Sequence, residues 1–184
     1  MFWPVIPLFW IPVHFATKFF KRLGYLTYII PVIGWLPFGH VIYHNRAFIL
    51  QYKFDLPVVL NIAGIVLLIA GTLVHIWTGR LLGIRGLIGI SEIAAKTKGG
   101  LVTQGAFSVV RNPTYLAHTI IFTGIFLFTK VIAAGVITVL DFLVKNTIII
   151  PLEEKELLKR FGEEYKLYKN KVPAFFPRIH ARKY

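Results

Sequence analysis

Long apolar runs alternate with short basic segments along most of the chain. A helix that crosses a bilayer needs about 20 apolar residues, within a range of roughly 17 to 25. Five stretches approach or reach this length, and we expect each to be a transmembrane helix: residues 2–17, 23–43, 56–77, 113–129 and 131–150. The first is short and interrupted by three prolines, so whether it crosses completely stays open.

The last two stretches are separated only by Lys130, which predicts a tight helical hairpin. After Pro151 the pattern changes, because apolar and aromatic residues recur at helical spacing among many charged ones. This predicts an amphipathic helix in the cytosol, packed under the membrane domain. The glycine-rich segment 79–100 is too polar and too interrupted to cross a membrane, and we expect it to be a cytosolic loop.

The composition supports a membrane protein. Hydrophobic residues make up 56% of the chain and charged residues 16%, whereas an average soluble domain is about 25% charged. We therefore expect an all-α integral membrane protein with about five transmembrane helices and a cytosolic amphipathic C-terminal helix. The 184 residues make one domain, divided into transmembrane helices 1–3 (1–78), a cytosolic loop (79–112), the hairpin (113–150) and the C-terminal helix and tail (151–184).

The net charge of +13 is distributed unevenly between the two sides of the membrane that five spans define. Seventeen Lys and Arg residues fall on the side of the C-terminus, and three, Arg46, Lys53 and Lys130, fall on the other. Because cytoplasmic loops are enriched in Lys and Arg, we expect the N-terminus outside and the C-terminus in the cytoplasm. The basic segments suit anionic membrane lipids as partners better than a nucleic acid.

Cysteine is absent from the chain, which excludes disulfides, thiolate nucleophiles and cysteine-based metal or iron–sulfur sites. The six histidines are scattered and form no evident cluster with carboxylates, so we expect no metal site. A reaction carried out by this chain must therefore use other side chains or an organic cofactor.

Two segments combine polar, aromatic and glycine residues at fixed spacing. The first is Leu-Val-Thr-Gln-Gly-Ala-Phe-Ser-Val-Val-Arg-Asn-Pro-Thr-Tyr at 101–115, and the second joins Glu-Glu at 153–154 to Phe-Gly-x-x-Tyr-x-x-Tyr at 161–168 and Val-Pro at 172–173. Together they resemble the isoprenylcysteine carboxyl methyltransferase family and the related phospholipid methyltransferases. The resemblance covers about residues 92–177, and the N-terminal half is similar only in being hydrophobic.

The resemblance implies S-adenosylmethionine as the cofactor. The cofactor-binding residues that it implies are Glu92, Leu101, Val102, Phe107, Asn112, Pro113, Thr114, Tyr115 and Glu153. The candidate catalytic residues are Arg111, Tyr115 and Glu154.

Local physical chemistry agrees with these positions. Pro113 is suited to the first position of a helix, where its missing N–H costs nothing. Arg111 lies just before this helix, where it either orders the site or faces a carboxylate. Glu153 and Glu154 begin a helix, and a carboxylate there can bind the ammonium group of a methionine-derived cofactor. Each residue also has a plainer explanation, as a topological anchor or a helix-terminal charge.

Three positions depart from the family pattern. Asn112 replaces a histidine, Phe107 replaces a tyrosine, and Ile149 replaces an arginine proposed to engage a carboxylate substrate. Lys145 lies one turn before Ile149 and four residues after Asp141, a spacing that favours an ion pair. The departure at Ile149 weakens the inference of a carboxylate substrate.

Lys145 and His118 are the candidate substrate-binding residues. Lys145 either faces a cavity as a functional residue, or is neutralised by Asp141 while its ammonium reaches the cytosolic surface. His118 lies one turn beyond Thr114 and can line the same cavity, although single histidines are more often structural.

These features predict an S-adenosylmethionine-dependent methyltransferase that acts at the cytosolic interface on a lipophilic acceptor from the bilayer. The first candidate acceptor is an isoprenylcysteine carboxylate, and the alternatives are a phospholipid amine or a small thiol. Two other classes stay open: a nicotinamide-dependent enzyme similar to membrane sterol reductases, and a non-enzymatic membrane scaffold or small transporter. The oligomeric state is not predicted.

Overall fold

A computed structural model describes residues 9, 11–13, 15–87 and 100–176 of the chain. Within these residues the secondary structure is helical, apart from an isolated antiparallel bridge between Lys53 and Val131. This confirms the all-α prediction for the part that is described. The helices are α1 (Thr17–Leu23), α2 (Ile29–His44), α3 (Arg46–Gln51), α4 (Val59–Leu87), α5 (Ala106–Val109), α6 (Pro113–Thr129), α7 (Ile132–Val144), α8 (Ile150–Phe161) and α9 (Glu163–Lys171).

Among the residues that the structure describes, three helical stretches are long and apolar enough to cross a membrane: Thr17–His44, Val59–Gly83 and Ile132–Phe161. Pro113–Thr129 is a further apolar helix of 17 residues. The chain is thus a membrane protein, while the count of five spans stays a prediction. Most of the predicted first span lies outside the described residues.

The first described span differs from its predicted limits. The basic segment expected to form a loop near residue 20 is helical as α1, and the 3₁₀ turn Gly24–Tyr28 joins it to α2. None of the α2 residues is buried against the rest of the described chain. This helix is apolar on all sides, as expected for a helix surrounded by lipid.

α4 and α6 pack closely because small residues face each other. A Cβ atom built on Gly64 would lie 2.7 Å from the backbone nitrogen of Phe128, and one on Gly124 would lie 2.8 Å from the carbonyl oxygen of Gly64. A Cβ on Gly71 would similarly lie 3.0 Å from the carbonyl oxygen of Ala117. Close backbone approach through small residues is the usual packing mode of membrane helices. It fixes the register of α4 against α6.

α6 and α7 pack against each other on either side of Lys130. Lys130 adopts the left-handed conformation (φ 58°) and its ammonium donates to the carbonyl oxygen of Leu56 at 2.7 Å. The backbone N–H of Phe54 donates to the carbonyl oxygen of Lys130 at 2.9 Å. The segment before α4 therefore holds the turn in place.

The boundary predicted at Pro151 is not a helix end. α7 continues through one π-helical turn, Lys145–Ile149, into α8, and Pro151 lies in the first turn of α8. Proline lacks an N–H and its ring clashes with the carbonyl four residues earlier. A π-helical turn changes the local hydrogen-bond register, which accommodates the proline.

Two other boundaries differ from the predicted ones. α4 extends beyond residue 78, through a break at Gly83 (φ 65°), into the segment expected to be a loop. The single amphipathic helix expected after residue 150 is divided into α8 and α9 at Gly162 (φ 55°). At both breaks a glycine adopts a positive φ that other residues reach only with strain.

Candidate active site

α9 is attached to the segment before α6 by a small core. Tyr165, Tyr168 and Val172 are buried together, and partly buried Leu101, Leu157 and Phe161 pack against them. The Tyr168 hydroxyl donates to the carbonyl oxygen of Phe107 at 2.7 Å. Burial raises the pKa of Tyr168 to about 12, so this hydroxyl keeps its proton at neutral pH. The two motif segments therefore fold against each other.

Arg111 connects three parts of this structure. Its Nη2 and Nε atoms donate to Glu154 Oε1 at 2.5 and 3.1 Å. Its Nη1 atom donates to the carbonyl oxygens of Lys169, at 2.9 Å, and Val172. Since the guanidinium is occupied by protein groups, the geometry supports an ordering role for Arg111 rather than contact with a ligand carboxylate.

Glu154 takes part in the same network. Its second carboxylate oxygen accepts a hydrogen bond from the Lys169 ammonium at 2.7 Å, and its side chain is only 14% exposed. We call Arg111, Glu154 and Lys169 the edge cluster. Both oxygens of Glu154 are thus bound by cations within the protein, and these contacts give its predicted catalytic role no support.

Asn112 and Pro113 form the start of α6. The backbone N–H and the side-chain amide of Asn112 both donate to the carbonyl oxygen of Ala174, at 3.2 and 3.1 Å. Pro113 is buried at the first position of the helix, as its chemistry predicts. The segment after α9 therefore runs beside the start of α6 and fixes its position.

Tyr115 and Glu153 bring the two motifs into direct contact. The Tyr115 hydroxyl donates to Glu153 Oε1, which joins α6 to α8 across 38 positions in sequence. The hydroxyl of neighbouring Thr114 is buried and has no hydrogen-bond partner among the residues that the structure describes. Such a group costs about 1–3 kcal/mol unless a ligand or water satisfies it.

These residues fit the polar end of S-adenosylmethionine. The Glu153 carboxylate can accept hydrogen bonds from an ammonium group, and the Thr114 hydroxyl can donate to a carboxylate. Phe107 is buried, and Leu101 and Val102 are both partly buried. Leu101 packs against the core of Tyr165, Tyr168 and Val172. The predicted contact Glu92 lies outside the described residues.

Lys145 lies in the π-helical turn between α7 and α8 and is completely buried. Its Nζ atom is 2.5 Å from Asp141 Oδ2, and the two side chains are 0% and 7% exposed. This confirms the predicted ion pair, and the interpretation in which Lys145 reaches the cytosolic surface is wrong. The Lys145 ammonium instead faces α6, 5.7 Å from the ring centre of Tyr115 and 5.6 Å from that of Phe122.

His118 packs against a histidine of α4. The ring centres of His75 and His118 are 4.6 Å apart and the rings are tilted by 42°. The Nδ1 atom of His75 is buried and has no hydrogen-bond partner in the described part of the chain. We call His75, His118, Asp141 and Lys145 the inner cluster.

Sequence reasoning missed two residues of this region. His75 was visible only as a histidine near a helix end, since nothing in sequence relates it to His118. Glu156 has a buried carboxylate oxygen and lies one turn after Glu153. The i, i+3 spacing of these two glutamates was a usable signal, because such residues share a helix face.

The described residues contain no group of three or more His, Cys, Asp or Glu side chains arranged to bind a metal ion. The chemical groups that the site does present are a carboxylate, two hydroxyls, an ion pair and two imidazoles. They suit the binding of an organic cofactor and of a second polar molecule.

Comparison with known proteins supports this interpretation. The family model described as phospholipid methyltransferase matches residues 59–164, more than half of the chain. The cobalt-zinc-cadmium resistance protein CzcN of Cupriavidus metallidurans is 28% identical over 114 residues, which cover 56% of this chain and 52% of that protein. The nickel-cobalt-cadmium resistance protein NccN of Alcaligenes xylosoxydans xylosoxydans is 32% identical over 87 residues, covering 47% and 40%.

The chain thus spans about half the length of the curated relatives it matches. No solved structure matches it.

Proposed function

Because the chain belongs to the phospholipid methyltransferase family, we propose that it transfers the methyl group of S-adenosylmethionine to a lipophilic acceptor at the cytosolic face of the membrane. The observation that carries this proposal is the contact between Tyr115 and Glu153. It joins two motifs that are far apart in sequence, beside a buried Thr114 hydroxyl that has no partner among the described residues.

We assign the cofactor to Thr114, Tyr115 and Glu153, with Leu101 and Phe107 as apolar neighbours. The bound cofactor supplies an activated methyl group, so the protein needs neither a nucleophilic residue nor a metal. The tasks left to the chain are to orient the reactants and to exclude water. The edge cluster performs the first task indirectly, since it fixes α6 against α8 and α9.

The uneven distribution of positive charge supports the proposed topology. The starts of α6 and of α8 lie at the same end of the membrane domain, since the Tyr115–Glu153 contact joins them. The positive-inside rule places this end in the cytoplasm. A water-soluble cofactor then enters from the cytosol, while the acceptor enters laterally from the bilayer.

The acceptor predicted first from the sequence is an isoprenylcysteine carboxylate. Ile149 is completely buried, and the nearby cation Lys145 is neutralised by Asp141. A substrate carboxylate would therefore gain little attraction from the Lys145 ammonium, because the Asp141 carboxylate already compensates its charge. This arrangement favours the other two candidates, a phospholipid amine or a small thiol.

Family membership argues against the reductase and against the non-enzymatic scaffold. A scaffold would bind no cofactor, and it would tolerate Glu153→Gln. A reductase would bind a nicotinamide nucleotide in place of an adenosylated sulfur compound. Measuring which cofactor the protein binds therefore distinguishes the proposed methyltransferase from both the scaffold and the reductase.

The test is calorimetric titration of the folded protein in detergent with S-adenosylhomocysteine and, separately, with NADPH. We expect saturable binding of S-adenosylhomocysteine, and Glu153→Gln to weaken it about tenfold by removing a charge-assisted hydrogen bond. Glu164→Gln is the matched control, since Glu164 is exposed on α9. Failure of the folded wild-type protein to bind S-adenosylhomocysteine, or binding of NADPH alone, would contradict the proposal.

A further inference from the structure

We propose that His75 and His118 form the subsite for the acceptor's head group, and that this subsite selects a nucleophile that carries a hydrogen, a thiol or an amine, over a carboxylate. This inference rests on the proposed function and names the part of the site that receives the second substrate. Its starting point is the pair of imidazoles in contact between α4 and α6, with ring centres 4.6 Å apart and the rings tilted by 42°.

The pair lies one helical turn from the residues assigned to the cofactor. Thr114 and His118 are four residues apart on α6 and therefore share a face of that helix. At 1.5 Å per residue His118 is about 6 Å further from the start of α6, towards the interior of the membrane. A molecule entering from the bilayer at this level lies next to a cofactor bound at Thr114 and Tyr115.

Two buried polar atoms on this path lack protein partners in the part of the chain that the structure describes. They are the Thr114 hydroxyl oxygen and His75 Nδ1. Buried polar groups are nearly always satisfied, so an exception at a functional site points to a bound group. An imidazole offers one hydrogen-bond donor and one acceptor, and it can therefore bind a thiol or an amine.

The charges around the pair disfavour a carboxylate. The Lys145 ammonium faces α6, the helix that carries His118, at 5.7 Å from the ring centre of Tyr115, and Asp141 holds it at 2.5 Å. The ion pair is fully formed inside the protein, so it presents no uncompensated positive charge to the subsite. Ionisable residues within a membrane domain are costly and usually mark a binding or transfer pathway.

The experiment measures acceptor binding without turnover. The protein is saturated with S-adenosylhomocysteine, which has no methyl group to transfer, and is titrated with hexanethiol, hexylamine or hexanoate. These probes share one six-carbon tail and differ only in the head group. We expect hexanethiol or hexylamine to bind about tenfold more tightly than hexanoate, and the tighter of the two identifies the nucleophile.

Variants of the pair separate recognition from folding. We expect His75→Phe to remove the preference over hexanoate while the affinity for S-adenosylhomocysteine changes less than about twofold, since the cofactor residues are on other helices. His75→Asn places a polar atom near the position of Nδ1 and is expected to restore most of the preference. The control is the exposed pair on α2, His40 and His44, whose ring centres are 4.3 Å apart; replacing both by Phe should leave binding of all three probes unchanged.

Two results would overturn the inference while leaving the proposed function standing. One is hexanoate binding as tightly as the other probes, and the other is equal losses of probe binding in the His75→Phe and control variants. If the folded wild-type protein failed to bind S-adenosylhomocysteine, this would contradict the proposed function and therefore also the subsite that depends on it.

Discussion

The edge cluster and the inner cluster both hold α6 in place, but they differ in burial and in how far the sequence reveals them. In the edge cluster, Arg111 and Glu154 are 10% and 14% exposed, and Arg111 also binds the backbone carbonyls of Lys169 and Val172 at the end of α9. In the inner cluster, Lys145 is fully buried, and its contacts come from α6 and its own helix. The edge cluster joins the segment before α6 to α8 and α9, whereas the inner cluster places polar side chains among the membrane helices.

This difference indicates separate tasks for the two clusters. In the edge cluster, both oxygens of Glu154 and most N–H groups of Arg111 are bound within the protein, which suits an ordering role. The inner cluster combines a neutralised ion pair with a histidine pair, and one imidazole nitrogen has no partner within the described residues. These features support the proposed recognition of the acceptor by the inner cluster. Substitutions in each cluster and at the α4–α6 contact test this division.

Lys145→Met should lower the free energy of unfolding by about 3–5 kcal/mol, because it leaves the Asp141 carboxylate buried without its cation. The double variant Asp141→Leu/Lys145→Met should recover most of this loss, since both charges are then removed. Thermal or denaturant unfolding in detergent measures both variants. Equal losses in the single and double variants would show that the ion pair is not the cause.

Arg111→Met should cost about 3 kcal/mol, because Glu154 and two backbone carbonyls lose their donor together. We also expect α9 to become accessible to limited proteolysis. The matched control is Lys166→Met, whose ion pair with Glu163 is 53% and 78% exposed and should contribute less than about 1 kcal/mol. Similar proteolysis of both variants would contradict the conclusion that Arg111 holds α9 in place.

Gly124→Ala should destabilise the packing of α4 on α6 by about 1–3 kcal/mol, because the added carbon meets backbone atoms that cannot rotate away. The added Cβ would be 2.8 Å from the carbonyl oxygen of Gly64. Gly34→Ala on α2 is the control, since no described atom lies within 4 Å of its new Cβ. If both variants unfolded at the wild-type midpoint, the close approach of α4 and α6 would be in doubt.

Thr114→Val should have opposite effects on stability and on binding. Removing a buried hydroxyl that lacks a partner among the described residues should raise the free energy of unfolding by about 1 kcal/mol, while the affinity for S-adenosylhomocysteine falls about fivefold. Thr123→Val is the control, because the Thr123 hydroxyl donates to the carbonyl oxygen of Thr119 at 2.8 Å. Unchanged cofactor affinity in Thr114→Val would remove this residue from the site.

The sequence predicts features of the site that depend on neighbouring residues better than contacts between distant segments. Pro113 starts α6 as its missing N–H requires, and the i, i+4 spacing of Asp141 and Lys145 correctly predicts their ion pair. These features depend on residues close together in the chain. The partners of Arg111 on α8 and α9 depend on the tertiary fold, so a local pattern alone does not specify them.

The proximity of His75 and His118 could not be predicted for the same reason. It depends on the register of α4 against α6, which is set by contacts such as that between Gly64 and Gly124. Hydropathy identifies an apolar helix but does not specify which neighbour it packs against. The continuation of α7 into α8 was also missed, because proline ordinarily indicates a helix boundary and the π-helical turn is not visible as a pattern.

Hydrogen exchange with and without S-adenosylhomocysteine tests the central claim, that the two motif segments form one cofactor site. The account predicts that residues 101–115 and 150–171 become protected together when the compound is added. α2 should exchange at an unchanged rate, since none of its residues is buried against the described part of the site. Protection confined to one of the two segments, or absent from both in a folded protein, would contradict the account.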